Sequence, residues 1–454
     1  MNLNKFKKIH LIGIGGIGMS AVARILIELG KDVSGSELVK SKITEDLQNL
    51  GVTIIIGNQK AVNIDDQVEL VIYTNAVKTS NLEYKKAKQN KIKMYSYPEF
   101  LSEMMKTHIS LVVSGTHGKS TTTAMLAKIF IEADLDPTVV IGTNTEFLKG
   151  NARTGLGKHF IVEGDEFHEA FINYEPIGLI VNNIEKDHLD YYKTEQNLVK
   201  AFQTVIKKVP KGGVIVANAQ DEKLTKLLKK AKSKVLTFGI GEGDYQAHHI
   251  IRHGELTRFA VKGLENFDLS LSIPGEHNVR NALAASVMAI SFGIKIDIIK
   301  KALLNFSGIQ RRFEIKGRNK GAIIIDDYAH HPTEIKATLK TAKNYYPNKK
   351  IICVFQPHSN HRTRSLYNDF IKSFYSCDEL VITDVYKVAG RESKNIVDMK
   401  KFADDVKKRG IKIKYIPNFR NTPKYLRKII DEKCVVITMG AGDITEISDL
   451  LVKK

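Results

Sequence analysis

Cysteine is scarce. Cys353, Cys377 and Cys434 are the only three in 454 residues, and their wide spacing excludes a disulfide framework and a cysteine zinc cluster. A reducing compartment, the cytoplasm, is the matching expectation. Long apolar runs are missing as well: the strongest, such as 351–355, fall far short of the ~18–20 residues a bilayer span requires, so no membrane insertion is expected. The first residues carry lysines and then glycine-punctuated sequence, without the apolar core or small-residue cleavage site of a secretory leader. There is no short-period repeat and no low-complexity tract. Acidic residues are outnumbered, with 50 Asp plus Glu against 69 Lys plus Arg, which leaves a formal charge of +19. That excess raises nucleic-acid binding as a rival reading, but no aromatic-interleaved basic motif accompanies it. Lysines such as Lys223, Lys226, Lys229, Lys230, Lys232 and Lys234 are scattered along amphipathic stretches and read as solvated faces. No nucleic-acid partner is expected; the charge can still attract an anionic substrate.

What is present is a globular composition, 43% hydrophobic and 26% charged, in a chain long enough for about three domains. A short apolar strand from residue 5 runs through a glycine turn into a helix over 19–29, and strands follow at 32–35, 52–56, 70–73 and 92–95. A second unit begins near His108 with a strand at 111–113. A third begins near Phe313, with strands at 323–326, 350–355, 379–383, 411–415 and 435–439. The polar stretch 316–320 reads as a loop where the third unit starts. Strands alternating with helices predict an α/β chain of three successive domains: Rossmann-like, then a phosphate-loop ATPase with a parallel sheet, then Rossmann-like again.

The most informative segment is Leu111-Val-Val-Ser-Gly-Thr-His-Gly-Lys-Ser-Thr-Thr-Thr123. Glycines at 115 and 118 let backbone N–H groups close around phosphate oxygens, and the following helix start adds its positive dipole end. Lys119 would reach the β and γ phosphates and Ser120 would ligate Mg²⁺. The general pattern asks for glycine five positions before Gly118, where this chain has Val113, so the match is partial. Two later segments end apolar runs with cation-binding groups. Phe160-Ile-Val-Glu-Gly-Asp-Glu166 offers Glu163 to a hard cation, and Asn182-Asn-Ile-Glu-Lys-Asp-His188 gathers Asp187, His188 and Asp190 at the same edge. No Ser-His-Asp constellation accompanies them. His330, His358 and His361 lack the cysteine or spaced carboxylate that would support zinc.

Gly13-Ile-Gly-Gly-Ile-Gly18 has the G-x-G-x-x-G spacing between a strand and a helix, and Glu37 lies about the ~20 residues downstream where a ribose-binding acid is expected. A dinucleotide or the diphosphate of a UDP-sugar fits this turn equally well, so an NAD-dependent oxidoreductase is a rival.

These segments, together with Gly275-Glu-His-Asn-Val-Arg-Asn281, Arg311-Arg-Phe313, Asp326-Asp-Tyr-Ala-His-His-Pro-Thr-Glu334 and Phe355-Gln-Pro-His358, resemble the Mur ligase family in order and over nearly the whole chain. Its members are ATP-dependent amino-acid ligases of peptidoglycan synthesis. The resemblance implies a UDP-sugar domain over 1–107, an ATP domain over 108–312 and a domain over 313–454 that closes on the nucleotide and holds the amino acid. It also implies the roles of individual residues. Gly15, Gly16, Gly18 and Glu37 would serve the UDP-sugar. Gly115, Thr116, His117, Gly118, Lys119, Ser120 and Thr121 would wrap ATP phosphates, with Ser120, Glu163 and His188 on magnesium. Asn278 and Arg312 would lie near the adenine nucleotide and Asp327 near its ribose. Tyr328, His330 and Arg362 would face the amino acid, and Lys119, His188 and His330 would be catalytic. The implied reaction joins L-alanine to the carboxylate of UDP-N-acetylmuramate through an acyl phosphate. One departure stands out: Ser359 occupies a position where alanine-adding members usually have arginine. Ser359-Asn360 and Gly164-Asp-Glu-Phe167 are similar instead to the relative that attaches recycled L-Ala-γ-D-Glu-diaminopimelate, which is the alternative acceptor.

Overall fold

The computed structural model describes residues 3–253, 255–386 and 396–453. Three sheets follow one another along the chain. The first has five parallel strands in the order Thr53–Ile56, Asp32–Glu37, Lys8–Ile12, Leu70–Tyr73 and Lys93–Ser96. The chain reverses its winding between Lys8–Ile12 and Leu70–Tyr73, and in such sheets the crevice beyond the carboxyl ends at that point receives ligands. Gly13 opens the turn there at φ 81°, where a Cβ would lie 2.5 Å from Thr74 Cγ2, so only glycine fits without displacement.

The second sheet has ten strands, in the order Phe267–Leu271, Leu256–Lys262, Tyr245–His253, Lys234–Ile240, Val214–Asn218, Gly178–Val181, Ile109–Ser114, His159–Glu163, Thr138–Thr145 and Gly150–Arg153. Its middle is parallel and its two ends are antiparallel. Ile109–Ser114 lies between Gly178–Val181 and His159–Glu163, with Val113 opposite Glu163 and Ser114 opposite Val181. This register brings the 115–121 turn, Glu163 and residues 182–188 to one carboxyl edge. Val113 is buried inside that pairing, and the backbone turns only at Gly115, with φ 132°.

The third sheet has six strands, in the order Glu314–Asn319, Ala322–Asp327, Cys434–Met439, Lys350–Phe355, Glu379–Ile382 and Ile413–Tyr415. Here the reading of 316–320 as a loop is corrected. Glu314–Asn319 is an antiparallel edge strand, with a register shift between Ile315 and Gly317. Its charged residues, Glu314, Lys316 and Arg318, suit an unpaired edge, where charge discourages further strand pairing, so polarity there signals an edge rather than a turn. The reversal itself is confined to Lys320 and Gly321, both at positive φ.

The first two units share one apolar core that runs from Ile9, Leu11 and Ile25 to Phe160, Phe171 and Phe202. The helix Ile17–Glu28 lies against the strands Thr138–Thr145 and Gly150–Arg153, and Asn151 Nδ2 donates to Ile17 O at 2.6 Å. The third sheet buries separate apolar clusters around Phe355 and Ile324. Its contacts with the carboxyl edge that carries the 115–121 turn are hydrogen bonds, ion pairs and a ring contact between His117 and His331. Among the described residues no helix is long and apolar enough to cross a membrane, and the six lysines between 223 and 234 are exposed.

Candidate active site

The helix Lys119–Glu132 begins at Gly118, whose φ of 80° is left-handed and whose Cβ would fall 2.5 Å from Asn281 Oδ1. The first four N–H groups of any helix lack partners within it, so this turn carries donors for an anion. Residues 182–185 buttress it. Asn183 Oδ1 accepts from His117 N at 2.9 Å, Asn183 O accepts from Thr116 N at 3.1 Å, and Glu185 N donates to Thr116 Oγ1 at 2.9 Å. Asn182 Nδ2 reaches Thr122 Oγ1 at 3.0 Å.

Lys119 Nζ donates to Gly115 O at 2.7 Å and lies 2.8 Å from Glu166 Oε2. Glu166 is nearly fully buried, and desolvation pushes its carboxyl up to about 7 despite the Lys119 charge. Ser120 Oγ donates to Glu163 Oε1 at 2.9 Å and Gly142 N to Glu163 Oε2 at 2.6 Å. Burial raises Glu163 as well, with Lys119 and these two bonds opposing it. His188 sits in the left-handed region at φ 51°, its ring 4.7 Å from Phe167, with Nε2 3.9 Å from Glu166 Oε1 and 3.7 Å from Asp187 Oδ2. Burial holds its imidazole below the usual value, which keeps it neutral and able to offer a lone pair. Glu166 therefore pairs with Lys119 and lies 3.9 Å from His188, a place between the two that the sequence motif did not assign to it.

The last domain supplies the facing wall. Arg362 Nη2 and Nε donate to Asp187 Oδ1 at 2.8 and 2.9 Å, so Arg362 is committed to a carboxylate of the central domain. His330 Nδ1 donates to Tyr328 O at 3.0 Å, which leaves the lone pair on Nε2. Tyr328 lies beneath Arg311 and Arg312, whose guanidinium carbons are 5.0 and 5.2 Å from its ring centre. Asp327 accepts from Phe313 N and Ala329 N at 2.8 and 2.7 Å, and burial pushes its carboxyl up to about 6. Asn278 Nδ2 donates to Pro274 O at 2.7 Å, and its Oδ1 accepts from Asn281 at 3.2 Å. Asp327 and Asn278 thus shape the backbone around Arg312 and, through Asn281, the surroundings of Gly118. The adjacent histidines part ways, His330 toward His358 and His331 toward His117, at ring distances of 5.8 and 4.6 Å.

His117, Glu185 and His331 place ligand atoms within 4.8 Å of one another. They do not form an open metal set. His331 Nδ1 accepts from Thr333 N at 3.3 Å and its Nε2 faces Lys186 O at 3.2 Å, which uses both ring nitrogens. Burial alone would lower His117, but the Glu185 and Glu334 carboxylates, 3.5 and 3.2 Å from its two ring nitrogens, raise it to about 9.

In the first domain Gly15 N donates to Glu37 Oε2 at 2.9 Å, and a Cβ on Gly15 would lie 2.8 Å from that oxygen. A Cβ on Gly18 would meet Tyr97 Cζ at 2.7 Å, whereas Gly16 is open enough for ordinary contact. Burial pushes the Tyr97 hydroxyl up, with the Asp165 and Glu163 charges adding to it, so Tyr97 stands between the glycine turn and the central acidic loop. Sequence reasoning missed Tyr97, Glu166, Glu185 and Glu334. Of these, Glu166, Glu185 and Glu334 lie inside recognised segments, where an acid close in sequence to a lysine or histidine was the available signal.

Three family models match the chain: the catalytic domain of the Mur ligase family over residues 8–109, the Mur ligase middle domain over 113–289 and the Mur ligase glutamate ligase domain over 311–442. The chain is 44% identical over 450 residues to the UDP-N-acetylmuramate–L-alanine ligase of Clostridium kluyveri, covering 98% of each. It is 40% identical over 458 residues to that of Clostridium perfringens, again covering 98% of each. Among solved structures, the UDP-N-acetylmuramate-alanine ligase of Thermotoga maritima superposes with a TM-score of 0.85 at 32% identity, and a murein peptide ligase of Psychrobacter arcticus with 0.73 at 26%, each covering 98% of both chains. The three matched domains, the whole-length relatives and the convergence of the 115–121 turn with Glu163 and His188 agree, and the chain belongs to the Mur ligase family.

Proposed function

We propose that this chain is an ATP-dependent amide-forming ligase that joins L-alanine to the muramyl carboxylate of UDP-N-acetylmuramate, acting in the cytoplasm on soluble precursors of peptidoglycan. The observation that carries the reading is the meeting of Lys119, Ser120, Glu163, Glu166 and His188 at one sheet edge, faced by Arg312 at the domain boundary and by His330 and Arg362 from the last domain. The working division is 1–107 for the UDP-sugar, 108–312 for ATP and 313–454 for the amino acid.

A carboxylate resists an amine because it is anionic and its oxide leaves poorly. Transfer of the γ-phosphoryl group of ATP to a carboxylate oxygen releases ADP and gives an acyl phosphate, whose leaving group is phosphate instead of oxide. The amine then attacks, and the tetrahedral adduct collapses to the amide and inorganic phosphate. Both partners of the first step are anions, so Lys119 must turn from Glu166 toward the phosphates and offset their repulsion. The residues also fit a hard divalent ion. Glu163 is a desolvated carboxylate whose bonds come from one hydroxyl and one amide, a state that a cation relieves. Ser120, Glu163 and His188 would hold Mg²⁺, which when bound supplies further charge to the transferring group.

The incoming amine must be neutral to attack. His330 keeps its Nε2 lone pair outside the Tyr328 bond and would take the proton as the amine attacks, with Tyr328 and an Arg362 released from Asp187 by the incoming carboxylate orienting the amino acid. Gly15, Gly16 and Gly18 would accommodate the diphosphate, and Glu37 a ribose hydroxyl. An NAD-linked oxidoreductase leaves the Gly115–Lys119 turn without a purpose.

The test is ADP release and product mass with UDP-N-acetylmuramate against L-alanine, L-serine, glycine and L-Ala-γ-D-Glu-diaminopimelate. Release that requires UDP-N-acetylmuramate and L-alanine together supports the reading. Turnover with the tripeptide alone transfers the chain to the recycling reaction, and no dependence on UDP-N-acetylmuramate ends the proposal.

A further inference from the structure

Glu334 has no part in the scheme above, yet site residues of two domains converge on it. It lies in the first turn of the helix Pro332–Tyr345, with its side chain 11% exposed. Its Oε1 is 3.2 Å from His117 Nδ1 in the phosphate turn and 3.4 Å from Arg312 Nη1. Its Oε2 accepts from His330 N at 3.0 Å. On the far side of the His117 ring, Nε2 faces Glu185 Oε2 at 3.5 Å, and that same oxygen accepts from Thr333 Oγ1 at 2.6 Å. The contacts close a circuit from Glu334 through His117 and Glu185 to Thr333, one residue from where it began, and the circuit crosses the domain junction twice.

A glutamate at this position can serve only to cap its own helix, and the bond from His330 N is of that kind. The other contacts are not local. One carboxylate oxygen is shared by two donors, an imidazole from the nucleotide turn and a guanidinium beside Tyr328. A glutamine cannot reproduce this, because whichever way its amide is turned, the NH₂ group faces a donor.

We propose that Glu334 is a positioning residue that makes closure of the last domain depend on the conformation of the phosphate turn, aligning Arg312 and His330 with a nucleotide seated there. Its kinetic consequence rests on the ligase reading; the closure itself does not. With the turn ordered, His117 presents its ring to Glu334, and the closed junction is complete. With His117 displaced, Glu185 loses its cationic partner and Glu334 keeps only Arg312 and the His330 amide, so the circuit across the junction is broken and the domains part.

Full-length Glu334→Gln, His117→Asn and the double variant would be compared with wild type in steady-state ligation, and by small-angle X-ray scattering with and without a non-hydrolysable ATP analogue and magnesium. Glu334→Gln is expected to lower kcat about 10–100-fold, the range of a small misalignment, with KM for UDP-N-acetylmuramate unchanged. It should also remain larger in radius of gyration than wild type when the analogue is bound. The double variant should be little worse than either single one, since both break the same contact. Glu334→Asp, which keeps the charge, should recover part of kcat. Additive losses, equal compaction of Glu334→Gln and wild type, or an aspartate no better than glutamine would each overturn the proposal. Wild type that compacts with the analogue but releases no phosphate with UDP-N-acetylmuramate and L-alanine would sink the ligase reading alone.

Discussion

Arg362 and Asp187 form an ion pair between the last domain and the central domain, with two donors on one carboxylate oxygen at 2.8 and 2.9 Å and side chains only 11% and 7% exposed. Burial would raise Asp187, but Arg362 and the neighbouring histidines hold its carboxyl far below the usual range. Asp187 immediately precedes His188, so this contact joins the candidate amino-acid wall to the candidate metal edge. Removing one partner of a buried pair strands the other charge, which costs about 3–5 kcal/mol in comparable cases. Arg362→Ala should therefore open the junction and abolish L-alanine-dependent turnover, while Arg362→Ala with Asp187→Ala should close again in scattering but stay inactive. A double variant as open as the single one would show that the pair does not hold the junction.

Lys119→Ala should reduce ligation by about 10²–10³-fold, in line with losing the cation that offsets charge on a transferring phosphoryl group. It also leaves Glu166 buried without its partner, so that carboxyl should be protonated at neutral pH. Calorimetric affinity for UDP-N-acetylmuramate should be unchanged, because the Gly13–Gly18 turn belongs to the first sheet. Joint loss of both would count against assigning the two ligands to separate sheet edges.

The sequence made the central edge legible because its residues follow short strands in readable order: Lys119 and Ser120 after Ile109–Ser114, Glu163 at the end of His159–Glu163. The fold class was legible for the same reason, since apolar runs alternated with helical periods. Polarity misled at Glu314–Asn319, where an exposed edge strand has no buried face to mark it. Glu334 and His117 are 217 positions apart, and no local pattern announces a contact formed only when two domains meet. Tyr97 escaped for the same reason, being a tyrosine of the first domain whose significance lies in the Gly18 and Glu163 that surround it.

Stability should depend on pH through His117. Its value rises from 6.5 to about 9 through the Glu185 and Glu334 carboxylates, against the opposing effect of burial, while Glu185 falls to about 2. A raised folded-state value contributes stability that is complete below the unfolded value and lost as pH climbs through the folded one. A lowered carboxylate does the reverse, losing its contribution only as pH falls through about 2. The contribution of His117, roughly 3 kcal/mol by linkage, should be present near pH 6 and disappear by about pH 9–10. The thermal midpoint of wild type minus that of His117→Asn should shrink across this interval. A difference independent of pH would mean that His117 packs as a neutral ring.

Gly15→Ala separates the two ends of the molecule from the other direction. The added Cβ would stand 2.8 Å from Glu37 Oε2 and 2.9 Å from its Cγ, closer than non-bonded atoms approach, so the Glu37 side chain must swing out of the turn. Gly15 is not among the glycines at positive φ, so the cost is the displaced contact and not backbone strain. The Gly15 N–H then loses its acceptor, and Glu37 leaves the position in which it could meet a ribose hydroxyl. Losing one such hydrogen bond to a charged acceptor is worth about 1.5–3 kcal/mol, which corresponds to a rise in the dissociation constant for UDP-N-acetylmuramate of roughly 10–100-fold. ATP-analogue affinity should hold, since the Gly115–Thr121 turn is untouched. Calorimetric titration of each ligand separates the outcomes, and unchanged UDP-N-acetylmuramate affinity would remove Glu37 and this turn from the sugar-nucleotide site.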